Sequence, residues 1–269
     1  MSPDLLFWLA LALKMAVTAG FVIMAAIVAE RAGAAIGAIV ATLPIAAGPA
    51  YFFVALEHDS AFISASAIGS IASHTATAVF SLVFIVLAQH NGMVVSVGAA
   101  VASWFAVAFL LRSVNWSFAG VAAINIATYL ACIALTNRYR HVQMPPIVRK
   151  WYDIPVRAVM VACLVAVVVG SSGHVGPTVT GLFAVFPIVM TSLMVIFHPR
   201  VGGPASAALI ANTMWGLVGF AACLFTVHIA VVPLGTWNGL LLALLVSVVW
   251  NIVLYWWRRR AMRRRSIRF

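Results

Sequence analysis

Acidic residues are almost missing from this chain. Asp4, Glu30, Glu57, Asp59 and Asp153 are the only five in 269 residues, and all lie at or near the ends of apolar stretches. Charged residues of both signs make up 8% of the chain, against ~25% in soluble domains. An ordinary water-facing surface is excluded. With no acid in the middle of an apolar stretch, carboxylate-based proton coupling and a carboxylate-bound sodium site are disfavoured too. Cysteine is also scarce: Cys132, Cys163 and Cys223 fall inside apolar runs with no CxxC or Cys/His spacing. They read as small buried residues and say nothing about redox compartment. HExxH, GxSxG and paired carboxylates are missing as well, and the histidines at 58, 74, 90, 141, 174, 198 and 228 are scattered. The expectation is therefore a protein that is not an enzyme, with no catalytic residue, metal site or cofactor. The N-terminal stretch MSPDLLFWLALALK lacks a basic region and a cleavage site, so no removable signal peptide is read.

What is present is apolar. Hydrophobic residues make up 65% of the chain and the mean hydropathy is +1.12. The runs are too long and continuous for barrel strands, which alternate over ~10 residues. Runs able to cross ~30 Å of hydrocarbon lie at about 5–29, 33–55, 61–88, 93–111, 116–136, 157–172, 176–197, 204–231 and 236–257. The fold class expected is an all-α polytopic membrane protein, one membrane domain over residues 1–269 with about nine helices. Eight and ten are the neighbouring counts, because stretches as short as GSSGHVG, 170–176, separate some segments.

The net charge of +11 comes mostly from residues 138–157 and 258–268. The tail RRRAMRRRSIRF abuts an apolar segment, so it reads as a topology signal and a contact for anionic lipid headgroups rather than for nucleic acid. One side of the membrane would hold Arg31, Arg138, Arg140, Arg149, Lys150, Arg157, Arg200 and the tail. The other side keeps only Arg112, with Lys14 inside the first segment. Positive residues mark the cytoplasmic side. The expectation is a plasma membrane (the inner membrane of a bacterium) with the N-terminus outside, the C-terminus inside and an odd number of helices.

Sliding the chain by 143 residues aligns 14–44 onto 157–187 without a gap. Lys14 falls on Arg157, Gly33 on Gly176, Ala41 on Ala184, and Pro44-Ile45 on Pro187-Ile188. At an offset of 140, Ala65-Ser66-Ala67 falls on Ala205-Ser206-Ala207 and Phe80 on Phe220. A further shift puts Trp104 on Trp250 and Arg112 on Arg258. Ala- and Val-rich segments match by chance, but this ordered set reads as an internal duplication. Repeat one is then 1–112, the linker helix with its basic loop 113–150, repeat two 151–257, and the Arg-rich tail 258–269. A single helix between the repeats turns the second upside down, giving the inverted topology common in secondary transporters.

In such proteins, interrupted helices in corresponding positions point to a site at mid-membrane. Pro44, in GAIVATLPIAAGPA with Gly48 and Pro49 downstream, interrupts the second segment, and Pro187 the seventh. A broken helix exposes N–H and C=O groups that hold an anion or a cation; the competing reading is an ordinary proline kink. Thr191 and Ser192 follow Pro187 at four and five residues. Ser66, Ser70, Ser73 and Thr77 form a small polar stripe on the third segment, with His74 beside it. Ser206, Asn212, Thr213 and Gly216, with Trp215, form a looser counterpart on the eighth.

Small hydroxyl residues also serve close helix packing, as Gly33 and Gly37 would. His74 has both a proton-handling and a packing reading, and Lys14 either pairs in place or snorkels to the interface. The candidate solute site comprises Pro44, Gly48, Ser70, Ser73, His74, Pro187, Thr191, Asn212 and Thr213. The two breaks resemble, in architecture alone, the crossover helices of the bile-acid and sodium/proton transporter folds, whose antiporters carry mid-membrane acids that this sequence lacks. The function expected is a transporter or facilitator moving a small anionic or neutral solute by alternating access. The alternatives are a membrane assembly or scaffold subunit, and a channel; a homo-oligomer is compatible with each.

Overall fold

The computed structural model describes residues 3–31, 47–142 and 150–266. Among these residues the chain is helical, with no strand. The elements are α1 (Pro3–Arg31), α2 (Ala47–Glu57), α3 (Ser60–Leu87), α4 (Met93–Arg112), α5 (Phe118–Thr136), a 3-10 turn (Asn137–Tyr139), α6 (Asp153–Ala184), α7 (Ile188–Val201), α8 (Gly203–Leu234) and α9 (Thr236–Ser266). Their starts carry local signals. Asp59 caps α3 by accepting from the Phe62 N–H at 2.8 Å, and Ser117 caps α5 by accepting from the Gly120 N–H at 3.2 Å.

Seven helical stretches among the described residues are long and apolar enough to cross a membrane: Trp8–Ala25, Ser60–Leu87, Met93–Arg112, Phe118–Tyr139, Asp153–Val201, Gly203–Leu234 and Thr236–Trp257. This architecture suits a multi-pass membrane protein. The stretch Asp153–Val201 has 49 residues, which as one straight helix would reach ~74 Å. It is not straight. Gly176 has φ 76° and ψ 171°, outside the helical region. Helical dihedrals are lost again at residues 185–187.

α3 is the central element. Its membrane-length window is 72% buried, against 11% for α1. It packs against α4, α5, α6 and α8. α8 runs antiparallel to it: Ser64 Oγ near the start of α3 donates to the His228 carbonyl at 2.9 Å, while Gly203 lies against the Ala88 carbonyl at the other end. α1 packs along α6, and α9 along α8. Among the described residues the core falls into two large clusters, one around Ile63, Ile71, Val165, Val168 and Leu224, the other around Phe80, Phe84, Trp104, Met194 and Met214, and a small third of Val22, Ala158 and Val161 between α1 and α6. Large apolar side chains such as Leu13, Phe109 and Val253 point outward on α1, α4 and α9, as helices facing lipid require.

Pro44, Gly33 and Gly37 lie outside the described residues, so the break expected in the second segment is not part of this description; α2 begins at Ala47. At the other end, the arginine-rich stretch that was expected to follow the last helix instead prolongs it, since α9 runs to Ser266. Arginine is a good helix former and no glycine or proline stops the helix there.

Candidate functional site

The α6–α7 junction begins with a missing donor. Pro187 has no N–H and cannot continue the ladder. Val185 turns to φ −111°, ψ 13° and Pro187 to φ −76°, ψ 51°. The Phe186 N–H donates to the Phe183 carbonyl at 3.0 Å, a tight closing turn. α7 restarts with the Pro187 carbonyl accepting from both the N–H and the hydroxyl of Thr191, at 2.8 and 2.9 Å. Thr191 therefore braces the loosened turn.

A helix end leaves carbonyls without intrahelical partners. Here Ser70 Oγ, fully buried on α3, donates to the Gly181 carbonyl at 2.7 Å. The Tyr51 hydroxyl of α2 lies 2.7 Å from Ser70 Oγ. Since Ser70 uses its proton on Gly181, Tyr51 is the donor to Ser70. One short chain thus joins the helix following Pro44, the serine stripe, and the helix preceding Pro187.

Glycine makes this approach sterically feasible. A methyl on Gly181 would overlap the Ser66 carbonyl, and one on Gly69 the Thr178 carbonyl. Small residues let helix backbones touch in this way. Along the same stripe, Ser66 and Ser73 are 1% and 0% exposed, and their hydroxyls have no partner among the described residues. The same holds for the Trp104 indole N–H, whose ring sits 4.8 Å from Phe186 in the break. Leaving a buried polar group unpaired costs ~1–3 kcal/mol. Each is a hydrogen-bond donor left unpartnered among the described residues.

The remaining candidates are placed elsewhere. His74 is 1% exposed and engaged at both ring nitrogens. Asn125 Nδ2 lies 3.2 Å from Nδ1, and the Tyr129 hydroxyl 2.9 Å from Nε2, with the Tyr129 ring stacked on the imidazole. Asn125 Nδ2 also faces the Ile71 carbonyl and Thr75 Oγ1, both acceptors, which fixes the amide orientation. Nδ1 is then an acceptor, and a neutral His74 carries its proton on Nε2. This is an α3–α5 joint in which both imidazole nitrogens are engaged, while Asn125 Oδ1 has no partner among the described residues.

Asn212 sits far along the chain from the break and is bound to Arg140, whose Nε donates to its Oδ1 at 3.2 Å while its own Nδ2 donates to the Arg140 carbonyl at 3.1 Å. Partial burial lowers the Arg140 pKa from its ordinary value. Thr213 donates to its own helix at the Ile210 carbonyl, 2.7 Å. Gly48 lines an apolar cavity of about 570 Å³ between α1, α2, α8 and α9, alongside Phe52, Phe220 and Leu244. Of the sequence candidates, the structure joins Ser70 to the Pro187 break and holds Ser73 on the same stripe; it does not bring His74, Asn212, Thr213 or Gly48 into that joint.

Two ion pairs lie toward the ends of the helices. Lys14, within α1, pairs with Glu57, the last residue of α2. Beside them is a cavity of about 300 Å³ whose lining includes His58, Ser172 and His174, with His58 Nε2 3.0 Å from Ser172 Oγ. Arg200, near the end of α7, grips Asp153 with two bonds of 2.8 and 2.6 Å and lies over the Tyr152 ring. The neighbouring Lys150, and then Arg200, draw the Tyr152 pKa below its ordinary value.

Sequence reasoning passed over Tyr51, Asn125 and Tyr129. An asparagine inside an apolar run is itself a signal of an interhelical bond, and Asn125 carried it. Compared with protein-family models, with curated proteins and with solved structures, the chain matches none.

Proposed function

We propose that the chain is a secondary transporter or facilitator that moves a small anionic or neutral solute by alternating access across a plasma membrane. The observation that carries this reading is the interruption at residues 185–187, set beside a buried stripe whose Ser66 and Ser73 hydroxyls are unpartnered among the described residues. Irregular backbone at membrane depth is tolerated where it is buried in protein or lines a solute path. Ser66, Ser73 and the Trp104 N–H supply donors suited to an anionic or neutral polar group; among the described residues no cluster of His, Cys, Asp or Glu is placed to hold a metal ion.

In this reading the chain crosses nine times. Gly176 has the backbone geometry of Gly202 and Gly235, φ 81° and 82° with ψ 165° and 157°, which join helices packed side by side. Residues 153–175 and 177–201 are then two passes, and the apolar run 33–55 of the sequence is another. The inverted repeat draws support from the packing. Corresponding helices α1 and α6 pack together, and so do α3 and α8, as pairs flanking a two-fold axis in the membrane plane would. Crosswise contacts correspond too: α2 meets α9 where Phe52 is 5.4 Å from Trp237, and the α7 break meets α4 through Phe186 and Trp104. The arginines of α9 and of 138–157 lie on the cytoplasmic side, where they meet anionic headgroups.

Uptake of a panel of small organic anions and neutral polar solutes into liposomes containing the purified protein tests the proposal. Saturable uptake of at least one class is expected. Flux that rises linearly without saturation makes the protein a channel. No flux of any class, together with a protein partner retained in mild detergent, makes it an assembly subunit.

A further inference from the structure

The two ion pairs sit at equivalent places in the two halves of the chain, with their charges exchanged. Glu57 follows Pro44 by thirteen residues, and Arg200 follows Pro187 by thirteen, so the offset of 143 that aligns the prolines also aligns Glu57 with Arg200. Each is within a residue of the end of the helix that follows its proline, α2 or α7. Each pairs with the helix that opens its own repeat. Glu57 takes Lys14 of α1, and Arg200 takes Asp153 of α6. By the same offset Lys14 corresponds to Arg157, so Asp153 falls one helical turn from the equivalent position.

The pairs also lie at opposite ends of the central helix. Glu57 is three residues before Ser60, where α3 begins, and Arg200 is three residues before Gly203, which rests on Ala88 just beyond the end of α3. Between these ends α3 has 28 residues, or ~42 Å of helix.

We propose that Lys14–Glu57 and Asp153–Arg200 are paired latches, each closing one mouth of the pathway by tying the far end of α2 or α7 to the first helix of its repeat. This inference rests on the transporter reading above. α7 has a hinge at residues 185–187, so its terminal half swings once the tie at its far end is released. The Asp153–Arg200 tie is bidentate and its side chains are 9% and 17% exposed, the geometry of a strong charged contact. The Lys14–Glu57 tie is a single contact, with side chains 19% and 38% exposed, beside the cavity that His58 and His174 help to line. The Lys14 latch is therefore the looser of the two and opens more readily. Exchanged charges have a further consequence: neither latch can substitute its partner from the other repeat, because Lys14 with Arg200, and Glu57 with Asp153, are like-charged.

The test uses the full chain with Cys132, Cys163 and Cys223 replaced by alanine and one probe, Ser73→Cys, on the buried stripe. A membrane-impermeant maleimide is applied to right-side-out and to inside-out vesicles. Losing a partly exposed ion pair shifts a two-state equilibrium by about fivefold. Glu57→Gln is expected to raise the labelling rate by about that factor from one side only, and Asp153→Asn from the opposite side only. The reversed pair Lys14→Glu with Glu57→Lys is expected to return labelling to the parent rate. A misfolded variant labels from both sides, and melting of each variant in detergent identifies it, so labelling that rises equally from both sides overturns the latch. So does a reversed pair that stays open. A probe that labels in the parent yet is indifferent to both pairs overturns the latch and leaves the transporter reading standing. A probe that labels from neither side in any variant overturns both.

Discussion

Gly181 meets two demands at one position. Its carbonyl accepts the Ser70 proton, and its bare Cα lets the Ser66 carbonyl come close. Gly181→Ala places a methyl against that carbonyl, an overpacking cost of ~1–3 kcal/mol, and a fall of a few degrees in melting temperature in detergent is expected. Gly173→Ala is the control, since nothing lies within 4 Å of a methyl built there; its melting temperature is expected to stay at that of the parent. His74 illustrates the other outcome at this scale. From the sequence it stands alone on an apolar helix, open to a proton-handling role. Its partners, Asn125 and Tyr129, are 51 and 55 residues away. No local pattern encodes which helix fills the space opposite a side chain.

At the scale of the element, the break belongs to Pro187 and its neighbours. Pro187→Ala restores an N–H and removes the clash that a proline ring imposes, a penalty of ~3 kcal/mol in a helix interior. The helix should then run through residues 185–187, leaving the melting temperature unchanged or higher while saturable uptake falls by roughly tenfold, as expected of a hinge that couples motion to turnover. Stability and uptake that fall together would mean that the proline is a packing element. The brace by Thr191 was legible in the sequence, because a hydroxyl four residues on reaches back to its own turn. Asn212 was not. The spacing that sets it near Thr213 and Ser206 says nothing of Arg140, which comes from beyond another helix and claims its amide. The correspondence of Glu57 with Arg200 is hidden for a different reason: an alignment scored by identity passes over opposite charges.

For the whole molecule, an odd number of passes puts the termini on opposite sides. A protease-cleavable tag at the N-terminus is expected to be cut only in right-side-out vesicles, and one at the C-terminus only in inside-out vesicles. Both tags cut from one side would remove the nine-pass count and with it the inversion of the second repeat. The exposed apolar girdle and the buried central helix fit one membrane domain, since large apolar side chains cover the outer helices while the serines and His74 are gathered on α3.

What the sequence by itself determined is the helices, many of their ends, and the interruption at Pro187. In hydrocarbon each backbone group must be satisfied within its own segment, so apolar length, glycine and proline act locally and can be read locally. What only the tertiary structure decided is the fate of the polar side chains. Ser70 is bonded, Ser66 and Ser73 lack partners among the described residues, His74 is enclosed, Asn212 is taken by Arg140, and Lys14 is tied to Glu57. The reason is distance along the chain. A stripe on a helix announces a face, and only the packing of helices far apart in sequence sets what that face meets.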